Sequence, residues 1–233
     1  MPWDFWLIFV VLGVVIPWRG HIRLRRLMEK SAVSTLEKLS LYGFTIVFQW
    51  AAVGLVTWRA LARGLTPARL GLASQNRSEI ILVSLLGAVL LGGFHWLRLW
   101  KVGKLEGPAP DFMRKLARLI LPTTLVELLP YLALAITAGI CEEFLYRGFA
   151  MAALSRAGLA KWAMVIVSSI LFGFAHAYQG RSGILATLVM GILFAVARVA
   201  FDSLIPVMVW HTTVDVIAGI AGPRYLVRKV ESQ

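Results

Sequence analysis

Two adjacent glutamates lie in an otherwise apolar stretch of the C-terminal half, where charged side chains are costly to bury. They occur in Gly-Ile-Cys-Glu-Glu-Phe-Leu-Tyr-Arg, which places Glu143 one helical turn before Arg147. On a helix Glu143 and Arg147 share a face and can pair, whereas Glu142 is rotated by ~100° toward another neighbour. The pairing explains Glu143 and Arg147 as structural residues. It leaves Glu142 as a free carboxylate, as a general base requires.

Two later apolar stretches carry histidines. His176 follows Phe172 by one helical turn, and His211 precedes Asp215 by the same spacing, so each pair shares one helix face. Alone, His176 would be interpreted as a hydrogen-bonded residue near the end of a helix. His211 and Asp215 alone suit a metal clamp or a hydrogen-bonded dyad about as well as a buried pair with a structural role only.

Residue spacing places these side chains at a common depth. Glu142 precedes the turn between Ser155 and Trp162, and His176 follows that turn by a nearly equal length of chain. Both are therefore ~20 Å from the turn if each segment is helical, and Asp215 in the last apolar run is at ~17 Å. We expect the polar side chains to converge at one level of the membrane.

The composition indicates an integral membrane protein. Of 233 residues, 59% are hydrophobic and 15% are charged, against roughly 45–50% and 25% in soluble domains. Apolar runs occur at Trp3–Ile16, Leu39–Trp58, Ile80–Trp96, Val126–Gly139 with a continuation to Ser155, Trp162–Tyr178, Ile184–Phe201 and Leu204–Ile220. We predict an all-α bundle of about seven transmembrane helices, with the active site buried among the C-terminal spans.

The basic residues predict orientation and lipid contact. The net charge is +12, but the 24 Lys and Arg residues flank apolar runs, so anionic lipid is a better partner than nucleic acid. Alternate loops carry 16 and 8 of them, and the first of these loops is predicted to run from Arg19 to Lys38. By the positive-inside rule the N-terminus is outside and the C-terminus cytoplasmic, and we expect the plasma membrane of a prokaryote.

A single membrane domain is expected, with three parts. Residues 1–120 contain the N-terminal spans, basic loops and an interfacial linker. Residues 121–222 form the catalytic helical core, and residues 223–233 form a short basic tail. The linker is predicted from Gly103, Gly107, Pro108 and Pro110, followed by an interfacial helix near Phe112.

Three motifs in order resemble the CAAX-protease and bacteriocin-processing family (CPBP, or Abi), which is related to the CAAX prenyl protease. They are Glu142-Glu143-x-x-x-Arg147, Phe172-x-x-x-His176 and His211-x-x-x-Asp215. The resemblance covers about residues 126–220, with a fainter echo in Leu70-Gly71-Leu72. It implies a glutamate-dependent intramembrane endopeptidase. The substrate would be a membrane-associated peptide or protein that could carry a covalently attached lipid.

The resemblance also implies roles for individual residues. Glu142 and His176 would hold the attacking water, and His211 and Asp215 would stabilise the oxyanion. The family often has asparagine where this chain has Asp215, and a carboxylate donates to an oxyanion only when protonated. Asp215 is therefore either a protonated donor or an ionised partner that orients His211, and we expect the second. Glu143, Arg147 and Phe172 would support the site structurally.

Three alternatives compete with this prediction. No cofactor is required, and no His-Glu-x-x-His motif is present, but bound zinc is an alternative whose ligands would be Glu142, His176 and His211. A non-catalytic immunity or scaffold protein would not need an unpaired Glu142. A proton-coupled transporter should show two related halves, whereas the polar groups here occupy one half.

Overall fold

The chain folds into a bundle of helices, described here from a computed structural model for residues 1–30, 32–73, 76–104 and 111–227. The helices are α1 (Trp3–Met28), α2 (Thr35–Ala62), α3 (Arg77–Lys104), α4 (Asp111–Ile120), α5 (Leu125–Arg156), α6 (Lys161–Ala175), α7 (Gly180–Phe201) and α8 (Ile205–Val227). Within those ranges there is no β-strand. The predicted all-α fold is confirmed.

Among the described residues, six helices are long and apolar enough to cross a membrane: α1, α2, α3, α5, α7 with the turn Ala177–Gln179 before it, and α8. The shorter α6 has 15 residues. It therefore extends for about 22 Å along its axis. It is apolar along its length and runs beside α7. The protein is a multi-pass membrane protein, and α6 accounts for the seventh predicted helix.

Helix α1 differs from the prediction. The sequence predicted a span ending at Ile16 and a basic loop from Arg19, but the helix continues to Met28. Pro17 lacks an amide hydrogen, and the wider π-type turns at Val11–Val15 lie just before it. The Arg-rich segment that follows consists mostly of good helix formers, so the helix persists beyond the apolar run.

The linker and the tail are only partly described. Helix α4 (Asp111–Ile120) forms where the interfacial helix was predicted. Gly107, Pro108 and Pro110 of the predicted linker lie outside the described residues, as do residues 228–233 of the predicted tail. Gly103 belongs to α3 and contacts Tyr225 of α8. The interfacial position of α4 stays a prediction.

Helices α5 and α8 form the centre of the bundle. Helix α5 packs against α2 and α8, and α8 also packs against α3. Gly139 lies so close to Thr212 that a Cβ atom at this position would collide with the threonine side chain. Small residues allow membrane helices to approach in this way. The close crossing places Glu143 of α5, one turn beyond Gly139, beside His211.

Three loops meet at one end of the bundle. The amide of Leu204 donates to the carbonyl of Gly71 at 2.9 Å, and Arg198 Nη2 donates to the carbonyl of Arg69 at 3.2 Å. Arg156 in turn donates to the carbonyl of Arg63. The loops after α2, α5 and α7 therefore share one face, as the predicted alternation of spans requires. Which face is cytoplasmic stays a prediction.

A buried ion pair joins α2 to α5 at the opposite end. Lys38 Nζ lies 3.1 Å from Glu127 Oε2 and also donates to the Leu121 carbonyl at 2.9 Å. Glu127 accepts further hydrogen bonds from the Thr35 hydroxyl and the Thr123 amide, at 2.8 and 2.7 Å. The sequence placed Lys38 in a loop, but its side chain is 3% exposed. Because every charge here is paired, the network is structural.

We predict that Lys38→Met lowers the free energy of unfolding by roughly 3–5 kcal/mol, because it leaves Glu127 buried without its cation. Thermal unfolding of the purified protein in detergent measures this. Lys30→Met is the matched control, since Lys30 pairs with Glu37 at the surface and should leave the transition unchanged. Equal transitions for wild type and Lys38→Met would contradict the structural role.

Candidate active site

Glu142 lies near the middle of α5 and has one paired oxygen and one unpaired oxygen. Its Oε1 accepts a hydrogen bond from Gln49 Nε2 of α2 at 2.8 Å. Its Oε2 is buried, has no hydrogen-bond partner in the described part of the chain, and lies 3.8 Å from His176 Nε2. The sequence predicted that Glu142 is left free by the pairing of Glu143 with Arg147. The second oxygen retains that property.

His176 follows the last residue of α6, and its ring is oriented by the backbone. Its Nδ1 lies 2.9 Å from the carbonyl oxygen of Phe172. A carbonyl only accepts, so Nδ1 carries the hydrogen, and in the neutral ring Nε2 presents a lone pair toward Glu142. The distance of 3.8 Å is too long for a direct hydrogen bond. One water molecule can contact both atoms.

Glu143 is buried and has two partners. Its Oε1 accepts from Arg147 Nη1 at 3.0 Å and from His211 Nδ1 at 2.8 Å. Arg147 also donates from Nη2 to the carbonyl of Gly191 at 3.2 Å. The predicted Glu143–Arg147 pair is present. The bond from His211 was not predicted, because the sequence predicted a partner for Glu143 only within its own helix. This bond connects α5 to α8.

His211 therefore has a carboxylate on each side of its ring. Its Nε2 lies 3.6 Å from Asp215 Oδ2, within ion-pair range but beyond a hydrogen bond. Glu143, on the opposite nitrogen, makes the shorter contact. The Asp215 side chain is one-third exposed, and Tyr131 donates to its backbone carbonyl at 3.2 Å. His211 is thus oriented by the hydrogen bond that its Nδ1 donates to Glu143, whereas Asp215 faces the other nitrogen.

The ring of Phe172 connects the two histidines. It is buried and lies 4.6 Å from the His176 ring and 5.8 Å from the His211 ring, between ring centroids. The Arg147 guanidinium lies 4.1 Å from its centroid, within the range of a cation–π contact. Phe172 thus keeps both histidines at one depth. These contacts with the two histidines and Arg147 give a physical reason for the structural role expected for Phe172.

The predicted site residues therefore lie together. Glu142 meets His176, and Glu143 meets His211, at one level of the bundle. The sequence analysis did not predict Gln49 as a site residue. A polar amide in the apolar stretch Phe-Gln-Trp of the second span could have indicated it. Among the described residues, no three His, Cys, Asp or Glu side chains are grouped as metal ligands. Metal dependence stays a prediction.

Comparison with known proteins identifies the segment that carries this site. The family model described as Rce1-like, type II CAAX prenyl endopeptidase Rce1-like, matches residues 124–217. The segment includes all three motifs and supports CAAX-type protease activity at the level of the family. No curated protein and no solved structure matches the chain. The resemblance that the motifs suggested is thus confirmed for residues 124–217, which form an Rce1-like domain.

Proposed function

We propose that this protein is an intramembrane endopeptidase in which Glu142 and His176 activate the attacking water. The supporting observation is the gap of 3.8 Å between Glu142 Oε2, which is buried and unpaired, and His176 Nε2. A water in this gap transfers a proton to Glu142 as its oxygen attacks the carbonyl carbon. The carbon–nitrogen bond then breaks, and the proton passes to the leaving amine.

His211 supplies the opposite side of the reaction. When protonated, its ring donates from both nitrogens, and Nδ1 is already bonded to Glu143. Its Nε2 hydrogen is then available for the oxyanion of the tetrahedral intermediate. Asp215 lies next to this nitrogen. There its charge balances the imidazolium, which refines the orienting role expected from the sequence.

The depth of the site selects the substrate class. Glu142 lies near the middle of the long helix α5. Along the helix axis it is therefore about 25 Å from the first residue and about 21 Å from the last. A peptide must reach the interior of the membrane domain to be cleaved. This favours a membrane-associated substrate whose lipid modification holds it in the bilayer, and the prenyl endopeptidase family agrees. Anionic lipid at the basic helix ends is a second proposed partner.

Glu142→Gln should abolish cleavage without changing the fold, because an amide of the same shape cannot accept the proton. The assay is hydrolysis of a fluorogenic prenylated peptide ending in a CAAX sequence by the full-length protein in detergent. Size-exclusion profile and thermal midpoint should match the wild type. Normal turnover by the variant, or no cleavage by the wild type, contradicts the proposed function.

Asp215→Asn should lower kcat by about 10²-fold, the scale on which one donor to a developing oxyanion is lost, because the amide cannot balance the charge on the His211 imidazolium that donates. The same peptide assay, with kcat and KM measured separately, tests this. An Asn variant with wild-type kcat would show that position 215 acts as a neutral hydrogen-bond donor to the oxyanion.

The mechanism uses no obligatory metal, so the purified protein should contain well under one equivalent of zinc and keep its activity in strong chelators. Elemental analysis and the peptide assay after chelation measure both quantities. Stoichiometric zinc, with activity lost on chelation and restored by zinc, would instead make Glu142, His176 and His211 metal ligands.

A further inference from the structure

Gln49 brings a second helix into the site from outside the Rce1-like domain. It lies on α2, almost equally far along the chain from Thr35 and from Ala62, and therefore at the middle of that helix. Its neighbours Phe48 and Trp50 are apolar. A primary amide in the middle of a membrane helix is costly unless its hydrogen bonds are satisfied. The partner of its nitrogen is the carboxylate of Glu142.

The chemistry of the pair determines the orientation of the amide. An ionised carboxylate only accepts hydrogen bonds, so the nitrogen of Gln49 must face Glu142 Oε1, at 2.8 Å. The oxygen of Gln49 then points elsewhere, and it is buried without a partner in the described residues. Gln49 Oε1 and Glu142 Oε2 are thus two buried acceptors that each need a donor.

Helix α2 is held rigidly against α5 on both sides of Gln49. About two turns before it, Tyr42 packs edge-on against Tyr131 at 5.6 Å between ring centroids, and its hydroxyl donates to the Ile120 carbonyl at 2.7 Å. Directly after it, Trp50 Nε1 donates to the Thr137 hydroxyl at 3.3 Å. These contacts do not depend on Gln49. The amide is therefore presented to Glu142 from a fixed helix.

We propose that Gln49 is a positioning residue for hydrolysis. It holds Oε1 of Glu142 so that Oε2 stays turned toward the water shared with His176. Without this bond the carboxylate rotates about its terminal torsion, whose energy profile is broad, and both oxygens compete for the water. The inference rests on the proposed function, and it assigns part of the active site to a helix outside residues 124–217.

Gln49→Leu tests this, because leucine keeps approximately the same volume and removes the donor. We expect kcat for the prenylated CAAX peptide to fall at least ~10-fold, within the range for a displaced catalytic group, with KM nearly unchanged. Thr45→Val is the matched control. Thr45 lies one turn earlier on α2, and within the described part of the chain its side chain bonds only to the Leu41 carbonyl of its own helix, so this variant should keep wild-type kcat. Wild-type kcat in Gln49→Leu overturns the proposal.

A pH profile separates positioning from mere helix packing. In Gln49→Glu the new side chain can donate to Glu142 only while it is protonated, so kcat should recover toward the wild-type value at low pH and fall as pH rises. A packing role predicts a profile parallel to that of the wild type, and that result overturns the proposal.

An infrared measurement needs no substrate. The carboxylate band of Glu142 is identified by its loss in Glu142→Gln, and it should shift in Gln49→Leu but not in Thr45→Val. An unshifted band overturns the proposal. If Glu142→Gln is inactive while Gln49→Leu is fully active, only the role of Gln49 fails. If Glu142→Gln is active, the proposed function fails.

Discussion

The buried carboxylate of Glu143 is the interaction on which the rest of the site depends. It accepts hydrogen bonds from Arg147 on its own helix and from His211 on α8. Removing one partner from such a group leaves an uncompensated charge in a medium with no water to solvate it. The three side chains therefore fix the register of α5 against α8. Phe172 stacks on the same guanidinium, so α6 is included as well.

Adjacent glutamates divide two tasks because a helix turns by ~100° between them. Glu143 faces the cation and the histidine, which both bond to its Oε1, while its Oε2 is buried without a partner in the described residues. Glu142 faces α2, where an amide occupies one of its oxygens and leaves the other unpaired. That unpaired oxygen is the one proposed to accept the proton of the attacking water. The costly unpaired acceptor is tolerated because the neighbouring ion pair and the close α5–α8 crossing hold the surrounding helices in place.

Several features of the fold were predictable because they depend on local sequence. Apolar runs of sufficient length located the membrane helices, since a span has a minimum length. The end of α1 and the environment of Lys38 were predicted incorrectly. Their charged residues led to a prediction of loops at both places. The helix propensity of the Arg-rich segment extends α1 to Met28, and the carboxylate of Glu127 on another helix allows Lys38 to be buried. Neither effect is visible in the composition of a segment.

The sequence alone determined that the four polar side chains Glu142, His176, His211 and Asp215 lie at one depth. A helix rises by a constant distance per residue, so depth follows from counting. Only the tertiary structure decided which of them touch. The bond from His211 to Glu143 and the contribution of Gln49 depend on the rotation and neighbours of each helix. Spacing within one helix specifies which residues share a face, but it does not specify which residues of other helices contact that face.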